Sequence, residues 1–281
     1  MNIPVLSHQD GRLRFLRRTA DPTRRRFRRG VYLLPTLFTL GNMFCGYACI
    51  VYAMRGEYET AAPYIGFAIV LDMLDGRIAR LTGTASDFGM EFDSLADVIT
   101  FGVAPAILSF AWGLQSLGRL GWLAGFMYVT AAAMRLARFN IQSGMGGDKR
   151  YFVGMPSPAA AAIPAATVFV YPMGLNDYRA ALPALAMVLL PAALMVSTIR
   201  FRSFKTIDLQ SRRSYTVILL IAAGIVLIAT HPRFVLIAMA YTYLASGFIG
   251  LAITRLRHRG EPDASPHAVT IDPPARGGAA G

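Results

Sequence analysis

The sequence predicts an all-α polytopic membrane protein with about eight transmembrane helices. Of its 281 residues, 54% are hydrophobic and only 16% are charged, whereas a soluble domain carries about 25% charged residues. Eight apolar runs are each long enough to cross a bilayer. The Lys and Arg residues are concentrated in alternate connecting segments, which is typical of loops on the cytoplasmic side of a membrane.

Each apolar run predicts one helix. Pro and Gly interrupt several runs, and membrane helices tolerate them because neighbouring helices can satisfy the freed backbone groups. Before the first run lies a basic arm, residues 1–30, with nine arginines; residues 255–281 are rich in Pro, Gly and Ala and predict a disordered tail. The runs cover roughly residues 31–54, 60–81, 94–114, 119–139, 157–175, 181–199, 214–230 and 234–254.

Loop charges predict the orientation of the helices. If the N-terminal arm is cytoplasmic, the segments on that side contain 24 of the 28 Lys and Arg residues. This asymmetry predicts that both termini are cytoplasmic, together with the junction between the second and third helices. The net charge of +12 is then explained by loops and by an arm beside anionic lipid headgroups. We therefore expect membrane lipids as partners and no nucleic acid.

Acidic residues are concentrated at that junction, where residues 72–97 contain six of the sixteen in the chain. Asp72 and Asp75 are three apart and share one face of a helix, while Asp93 and Asp97 are four apart on the next helix. Carboxylates in or beside a bilayer are costly and are therefore candidates for function. The spacing predicts two facing helices whose four carboxylates converge on one cavity.

The donor set predicts a hard divalent cation. The four histidines are scattered elsewhere, and the two cysteines, Cys45 and Cys49, lie in the first apolar run, where they fit the packing of small reduced side chains. Carboxylates without imidazole or thiolate partners suit Mg²⁺ or Mn²⁺, which complete their shells with water and phosphate oxygens. Four acids are more than one or two ions need, so one can serve as a general base.

Residues around the acids suit a phosphate-containing substrate. Arg80 lies on the same helical face and offers a forked donor for phosphate. Gly76, Ala79 and Gly89 have little side-chain bulk, which leaves room for a nucleotide against both helices. The residues thus favour metal-assisted phosphoryl-type transfer at the cytoplasmic face. Two alternatives are helix-end salt bridges from Arg77 and Arg80, and a cation-coupled transporter, which would more usually hold its acids near mid-bilayer on broken helices.

The spacing D-x2-D-G-x2-A-R-x8-G-x3-D-x3-D from Asp72 to Asp97 matches the signature of the CDP-alcohol phosphotransferase family, which this chain resembles. The resemblance implies a six-helix core over residues 31–200, followed by two further membrane helices over 201–254. It also implies a homodimer that cleaves a CDP-linked alcohol and releases CMP. By position, Asp97 is the catalytic base and a further candidate metal ligand. The implied metal ligands are Asp72, Asp75 and Asp93, and the implied CDP-site residues are Gly76, Ala79, Arg80 and Gly89.

Segments outside the signature resemble the bacterial integral-membrane members that use serine as acceptor. This implies CDP-diacylglycerol and L-serine as substrates and the bacterial inner membrane as location. It also implies a place for Asn42 in the CDP-lipid site, where members that make phosphatidylglycerol phosphate tend to have Arg nearby. The other segments with this resemblance are residues 36–42, 94–105, 137–140 and 152–158.

Serine as acceptor requires a cation for its carboxylate. Arg138, with Asn140 nearby at the cytoplasmic end of the fourth helix, is the first candidate, and Arg135 one turn earlier is the second. Glycerol-3-phosphate, inositol phosphate and choline remain alternative acceptors within the same family.

Overall fold

A computed structural model of the chain describes residues 22–82, 86–144, 151–197, 200–202, 222–224 and 226–260. The first 21 residues of the basic arm and the last 21 of the expected tail lie outside the described residues. So does most of the seventh apolar run, of which residues 222–224 and 226–230 are helical.

Eight long or medium α-helices dominate the described residues and confirm the all-α architecture. A π-helical turn joins the third helix to the fourth, and a 3-10 turn follows the fourth. The helices are α1 Pro22–Met54, α2 Tyr58–Thr82, α3 Asp87–Asp97, the π-helix Val98–Val103, α4 Ala104–Trp112, the 3-10 turn Leu114–Leu117, α5 Arg119–Gly144, α6 Ser157–Val170, α7 Tyr178–Val196 and α8 Pro232–Gly260.

By length and composition, four helical segments of the described chain can cross a membrane. They are Thr36–Met54, Asp87–Trp112, Arg119–Gln142 and Tyr178–Val196. Helix α6 is apolar but shorter, with 14 residues. These helices agree with the polytopic membrane protein that the sequence predicts. Helix α2 is not among the four because acidic and basic side chains in its last three turns lower its mean hydropathy.

Two helices extend beyond the limits expected from the apolar runs. Helix α1 begins at Pro22 and includes nine residues of the basic arm. Helix α8 continues to Gly260, so residues 255–260 are helical although the sequence predicted a disordered tail from residue 255. Leu and Arg residues in this stretch favour a helix.

The core between α1 and α2 is built from small side chains. Cys45, Cys49 and Ala53 of α1 are buried in the same cluster as Ala61 and Ala68 of α2. Both cysteines are free, as expected. Small residues let membrane helices approach closely and gain dispersion contacts. This close pairing holds the C-terminal half of α2, with its aspartates, against α1.

A short antiparallel ribbon, not predicted from the sequence, links the segment before α6 to the segment after α7. Its strands are β1 Tyr151–Val153 and β2 Arg200–Arg202, with Phe152 opposite Phe201. Directly after β1 the chain turns at Gly154, whose φ is +86°. A Cβ added at Gly154 would lie 2.5 Å from the carbonyl oxygen of Met195. Glycine is therefore required at this turn.

Candidate active site

Three carboxylates from two helices meet in the interior of the helical bundle. Asp72 of α2 and Asp93 and Asp97 of α3 each place one oxygen within 4.8 Å of the others. Asp97 is buried, and the other two are half-buried. The start of α3 is fixed by its N-cap, because the Ser86 hydroxyl accepts a 3.1 Å hydrogen bond from the backbone N–H of Gly89. The convergence expected from the spacing is thus present for three of the four acids.

The fourth acid, Asp75, is buried against α1. Its Oδ2 accepts a hydrogen bond from the hydroxyl of Thr39, which lies 36 residues earlier in the chain. Asp75 follows Asp72 by three residues, so both carboxylates are on the same side of α2. Its other oxygen, Oδ1, is the atom that could bind the same cation as the three clustered acids.

The clustered carboxylates fit a divalent cation. Asp93 Oδ1 is buried and has no hydrogen-bond partner among the described residues. Three like charges this close repel one another, and an unpaired buried carboxylate oxygen costs free energy unless a cation or donor satisfies it. The donors are all carboxylate oxygens, which Mg²⁺ and Mn²⁺ prefer. Asp72, Asp93 and Asp97 could therefore hold such an ion.

Asp97 is also in contact with α1. Its Oδ1 accepts a hydrogen bond of 3.2 Å from the amide of Asn42, and Asn42 is 1% exposed. The backbone carbonyl of Asn42 in turn accepts a 3.2 Å hydrogen bond from the Thr100 hydroxyl in the π-helix. The family resemblance implied a place for Asn42 beside the CDP-lipid, and the structure places it beside Asp97.

Arg135 of α5 lies near the acids, although among the described side chains no ion pair joins it to them. Its charge interacts with the carboxylates of Asp72 and Asp97. Its Nη1 donates a 3.1 Å hydrogen bond to the hydroxyl of Ser157, and its Cζ lies 5.5 Å from the ring centroid of Phe139. The guanidinium is thus held near the acids by groups other than the acids themselves.

The other two residues expected at the serine site have structural partners. Arg138 Nη1 donates to the carbonyl oxygens of Val196, at 3.2 Å, and Ser197, at 3.5 Å, at the end of α7. Asn140 donates a 2.9 Å hydrogen bond to the hydroxyl of Ser94, beside Asp93 in the sequence. Of the three candidates, Arg135 is the one whose charge interacts with the clustered acids.

The small residues expected to line the CDP site lie on the same two helices as the acids. Gly76 is exposed, and Ala79 and Gly89 are partly exposed, so their surfaces are open to a ligand. The side chain of Arg80 lies outside the described residues. Arg77 is exposed, and among the described side chains no ion pair links it to Asp72 or Asp75. The salt-bridge alternative thus has no support from Arg77.

Several residues around the site were not identified from the sequence. Thr39, Thr100 and Ser157 all contact a site residue through a hydroxyl. Thr39 also lies one turn before Asn42 on α1, a spacing that could have indicated it. All three hydroxyls fall in segments that resemble the members using serine, residues 36–42, 94–105 and 152–158, but the resemblance gave them no individual role.

The chain is similar to known proteins over most of its length. The model of the CDP-alcohol phosphatidyltransferase family matches residues 32–199. A CDP-diacylglycerol–serine O-phosphatidyltransferase of Helicobacter pylori is 36% identical over 224 residues, which are 78% of this chain and 91% of the relative. A Bacillus subtilis protein of the same name is 34% identical over 172 residues, 61% of this chain and 91% of the relative. An archaetidylserine synthase of Methanothermobacter thermautotrophicus is 34% identical over 170 residues, 60% of this chain and 69% of the relative.

The chain is a polytopic α-helical membrane protein with acids clustered between α2 and α3, and the family model places it among the membrane-embedded transferases. The chain belongs to the CDP-alcohol phosphatidyltransferase family. The resemblance drawn from the signature is confirmed, and membership in an enzyme family replaces the transporter alternative.

Proposed function

We propose that this chain transfers the phosphatidyl group of CDP-diacylglycerol to the hydroxyl of L-serine, giving phosphatidylserine and CMP. The observation that carries the proposal is the cluster of Asp72, Asp93 and Asp97 with Arg135 beside it. The cluster suits a metal and a phosphate, and the guanidinium suits the carboxylate of an amino acid. The printed names of the Helicobacter and Bacillus relatives support serine as the acceptor.

Asp72 and Asp93 would be the main ligands of one Mg²⁺ or Mn²⁺, and Asp75 would add a ligand through the oxygen that does not face Thr39. Asp97 lies within reach of the same ion but would be the acid left for proton transfer. A bound divalent ion would neutralise the pyrophosphate and the charge that develops on the transferred phosphoryl group. Gly76, Ala79, Arg80 and Gly89 would line the cytidine diphosphate, with the acyl chains remaining in the cytoplasmic leaflet. Through the ion that they hold, Asp72 and Asp75 of α2 would orient the lipid headgroup relative to α3.

Asp97 would act as the general base. Its carboxylate removes the proton from the serine hydroxyl as the serine oxygen bonds to the phosphorus that carries the diacylglycerol. The bond from that phosphorus to the bridging oxygen breaks, and CMP leaves with the electron pair. Serine is a weak nucleophile when protonated, so a positioned base contributes roughly 10²–10⁴ in rate.

Arg135 would bind the serine carboxylate. Its hydrogen bond to Ser157 and its position over Phe139 would hold the guanidinium, whose charge interacts with that of Asp97, so a bound serine would present its hydroxyl to the base. Arg138 and Asn140, which the sequence ranked first, would support the site indirectly through α7 and Ser94. The order of the two arginine candidates is therefore reversed in this proposal.

We further propose that residues 31–200 form the catalytic core of a homodimer in the bacterial inner membrane. The site would face the cytoplasm, with residues 201–254 as additional membrane helices and the arm and tail on the same side. The asymmetry in Lys and Arg supports this orientation. The range 32–199 matched by the family model supports the extent of the core.

The test is CMP release by the purified protein. The protein is given CDP-diacylglycerol, Mg²⁺ or Mn²⁺, and one acceptor at a time: L-serine, glycerol-3-phosphate, inositol phosphate or choline. The proposal expects CMP with serine and phosphatidylserine as the lipid product, and Asp97→Asn serves as the inactive control. Release of CMP with another acceptor alone would reassign the substrate, and no release with any acceptor would overturn the proposal.

A further inference from the structure

We infer that Asn42 is a positioning residue for the reaction: its amide orients the carboxylate of Asp97, and the π-helical turn at Thr100 holds Asn42 in place. The inference rests on the proposed role of Asp97 as general base. It gives Asn42 a different task from the CDP-lipid binding that the family resemblance implies.

The contact with Asp97 is buried on both sides. Asn42 is 1% exposed and Asp97 is 8% exposed, and the Nδ2 to Oδ1 distance is 3.2 Å. An ionised carboxylate can only accept hydrogen bonds, so the NH₂ group of the amide must face it. The amide oxygen of Asn42 has no hydrogen-bond partner in the part of the chain that the structure describes. The bond to Asp97 therefore defines the orientation of this amide.

Asn42 is held in place by the π-helix that begins immediately after Asp97. The Thr100 hydroxyl donates to the Asn42 carbonyl at 3.2 Å. One turn later on α1, an added Cβ at Gly46 would lie 2.7 Å from Thr100 Oγ1 and 2.8 Å from its Cα. Glycine is thus what permits α1 to approach the π-helix this closely.

These contacts connect Asp97 back to itself through two hydrogen bonds and three residues of the chain. Asp97 ends α3, the π-helix Val98–Val103 follows directly, Thr100 contacts Asn42, and Asn42 returns to Asp97. A π-helical turn within an α-helix is uncommon and often lies at a functional site. Here the π-helical turn brings the Thr100 hydroxyl to α1. The orientation of the Asp97 carboxylate is therefore set by a residue of the neighbouring helix α1.

The two roles for Asn42 give different kinetics. If Asn42 orients Asp97, Asn42→Ala should lower kcat by roughly 10- to 100-fold, the usual range for a residue that orients a functional group, while KM for CDP-diacylglycerol stays within about twofold. A rise in KM for CDP-diacylglycerol at unchanged kcat would overturn the inference and assign Asn42 to lipid binding.

Single-turnover CMP release with excess enzyme adds a second readout. Asn42→Ala is introduced into the wild type and into Asp97→Asn. If Asn42 acts through Asp97, the second substitution should cost less than about threefold in the Asp97→Asn background, because residues that act as a unit are not additive. An equal loss in both backgrounds would show a structural role and overturn the inference.

A pair of Thr100 variants keeps the test valid if Asn42→Ala does not fold. Thr100→Ser retains the hydroxyl and should keep kcat within about threefold, whereas Thr100→Val removes it and should lower kcat toward the Asn42→Ala value. Equal activity of the two variants would overturn the inference. Loss of activity in Asp97→Asn with normal activity in all these variants would reject the role of Asn42 alone, whereas a fully active Asp97→Asn would reject the proposed base.

Discussion

The guanidinium of Arg135 donates a 3.1 Å hydrogen bond to the hydroxyl of Ser157, the first residue of α6. Ser157 is fully buried. The bond uses one nitrogen of the guanidinium and joins α5 to α6 beside the clustered acids. A half-buried arginine with a neutral partner on one side and carboxylates nearby is suited to hold a zwitterion, because each charge of the ligand meets its opposite.

Arg135→Lys tests the acceptor site. Lysine keeps the charge but loses the planar fork, so KM for serine should rise roughly tenfold or more, with little change in KM for CDP-diacylglycerol. The measurement is initial-rate CMP release while each substrate is varied in turn. Arg138→Lys is the matched control: its carbonyl partners at the end of α7 predict lower thermal stability and an unchanged KM for serine. The reverse pattern would return the serine site to Arg138.

Asp97→Asn tests the general base. The substitution keeps the shape of the side chain but removes its ability to take a proton, so turnover should fall by roughly 10²–10⁴. Binding of CDP-diacylglycerol should persist, because the lipid headgroup is proposed to lie mainly against α2 and the start of α3. Equilibrium binding of the labelled lipid and CMP release are measured on the same preparation. Turnover near that of the wild type would exclude Asp97 as the base.

Asp93→Asn tests the metal site. The buried Oδ1 without a partner among the described residues suggests that Asp93 is satisfied by a cation. An amide has one negative charge fewer, so the Mn²⁺ concentration for half-maximal activity should rise by roughly tenfold or more. Mn²⁺ binding followed by paramagnetic resonance gives the same shift without turnover. Asp87→Asn, at the exposed start of α3, is the control and should change neither quantity.

Gly154→Ala tests the turn that connects β1 to α6. Its φ of +86° and an added Cβ 2.5 Å from the Met195 carbonyl predict a loss of about 1–3 kcal/mol in stability. The thermal midpoint in detergent should fall accordingly. Gly66→Ala in α2 is the control, since that position is exposed and an added Cβ meets nothing within 4 Å. Equal midpoints for the two variants would contradict the strain expected at Gly154.

The acids could be predicted from the sequence because their arrangement is local. Asp72 with Asp75, and Asp93 with Asp97, share helical faces at spacings of three and four residues, and the preference for a hard cation follows from the residue types. The all-α class and the polytopic topology follow from hydropathy. These properties depend on neighbours along the chain, which the sequence displays directly.

The partners of those acids could not be predicted in the same way. Thr39 reaches Asp75 over 36 residues, and Asn42 reaches Asp97 over 55, so both contacts depend on how α1 packs. Arg135 and Arg138 are three residues apart on α5, and their spacing does not reveal which one faces the acids. The π-helix and the β1–β2 ribbon depend on backbone geometry that the residue types alone do not specify.

The π-helical turn after Asp97 determines how the side chains of α3 are rotated relative to those of α4 within residues 87–112. Such a turn accommodates about one more residue than an α-helical turn, and each residue of an α-helix advances the side chains by about 100°. The carboxylates of α3 are therefore rotated about the helix axis, relative to the buried face of α4, by roughly the angle of one residue compared with a continuous α-helix. Removal of one residue from Val98–Val103 would restore a plain α-helix and rotate Asp93 and Asp97 away from Asp72 while α4 stayed packed.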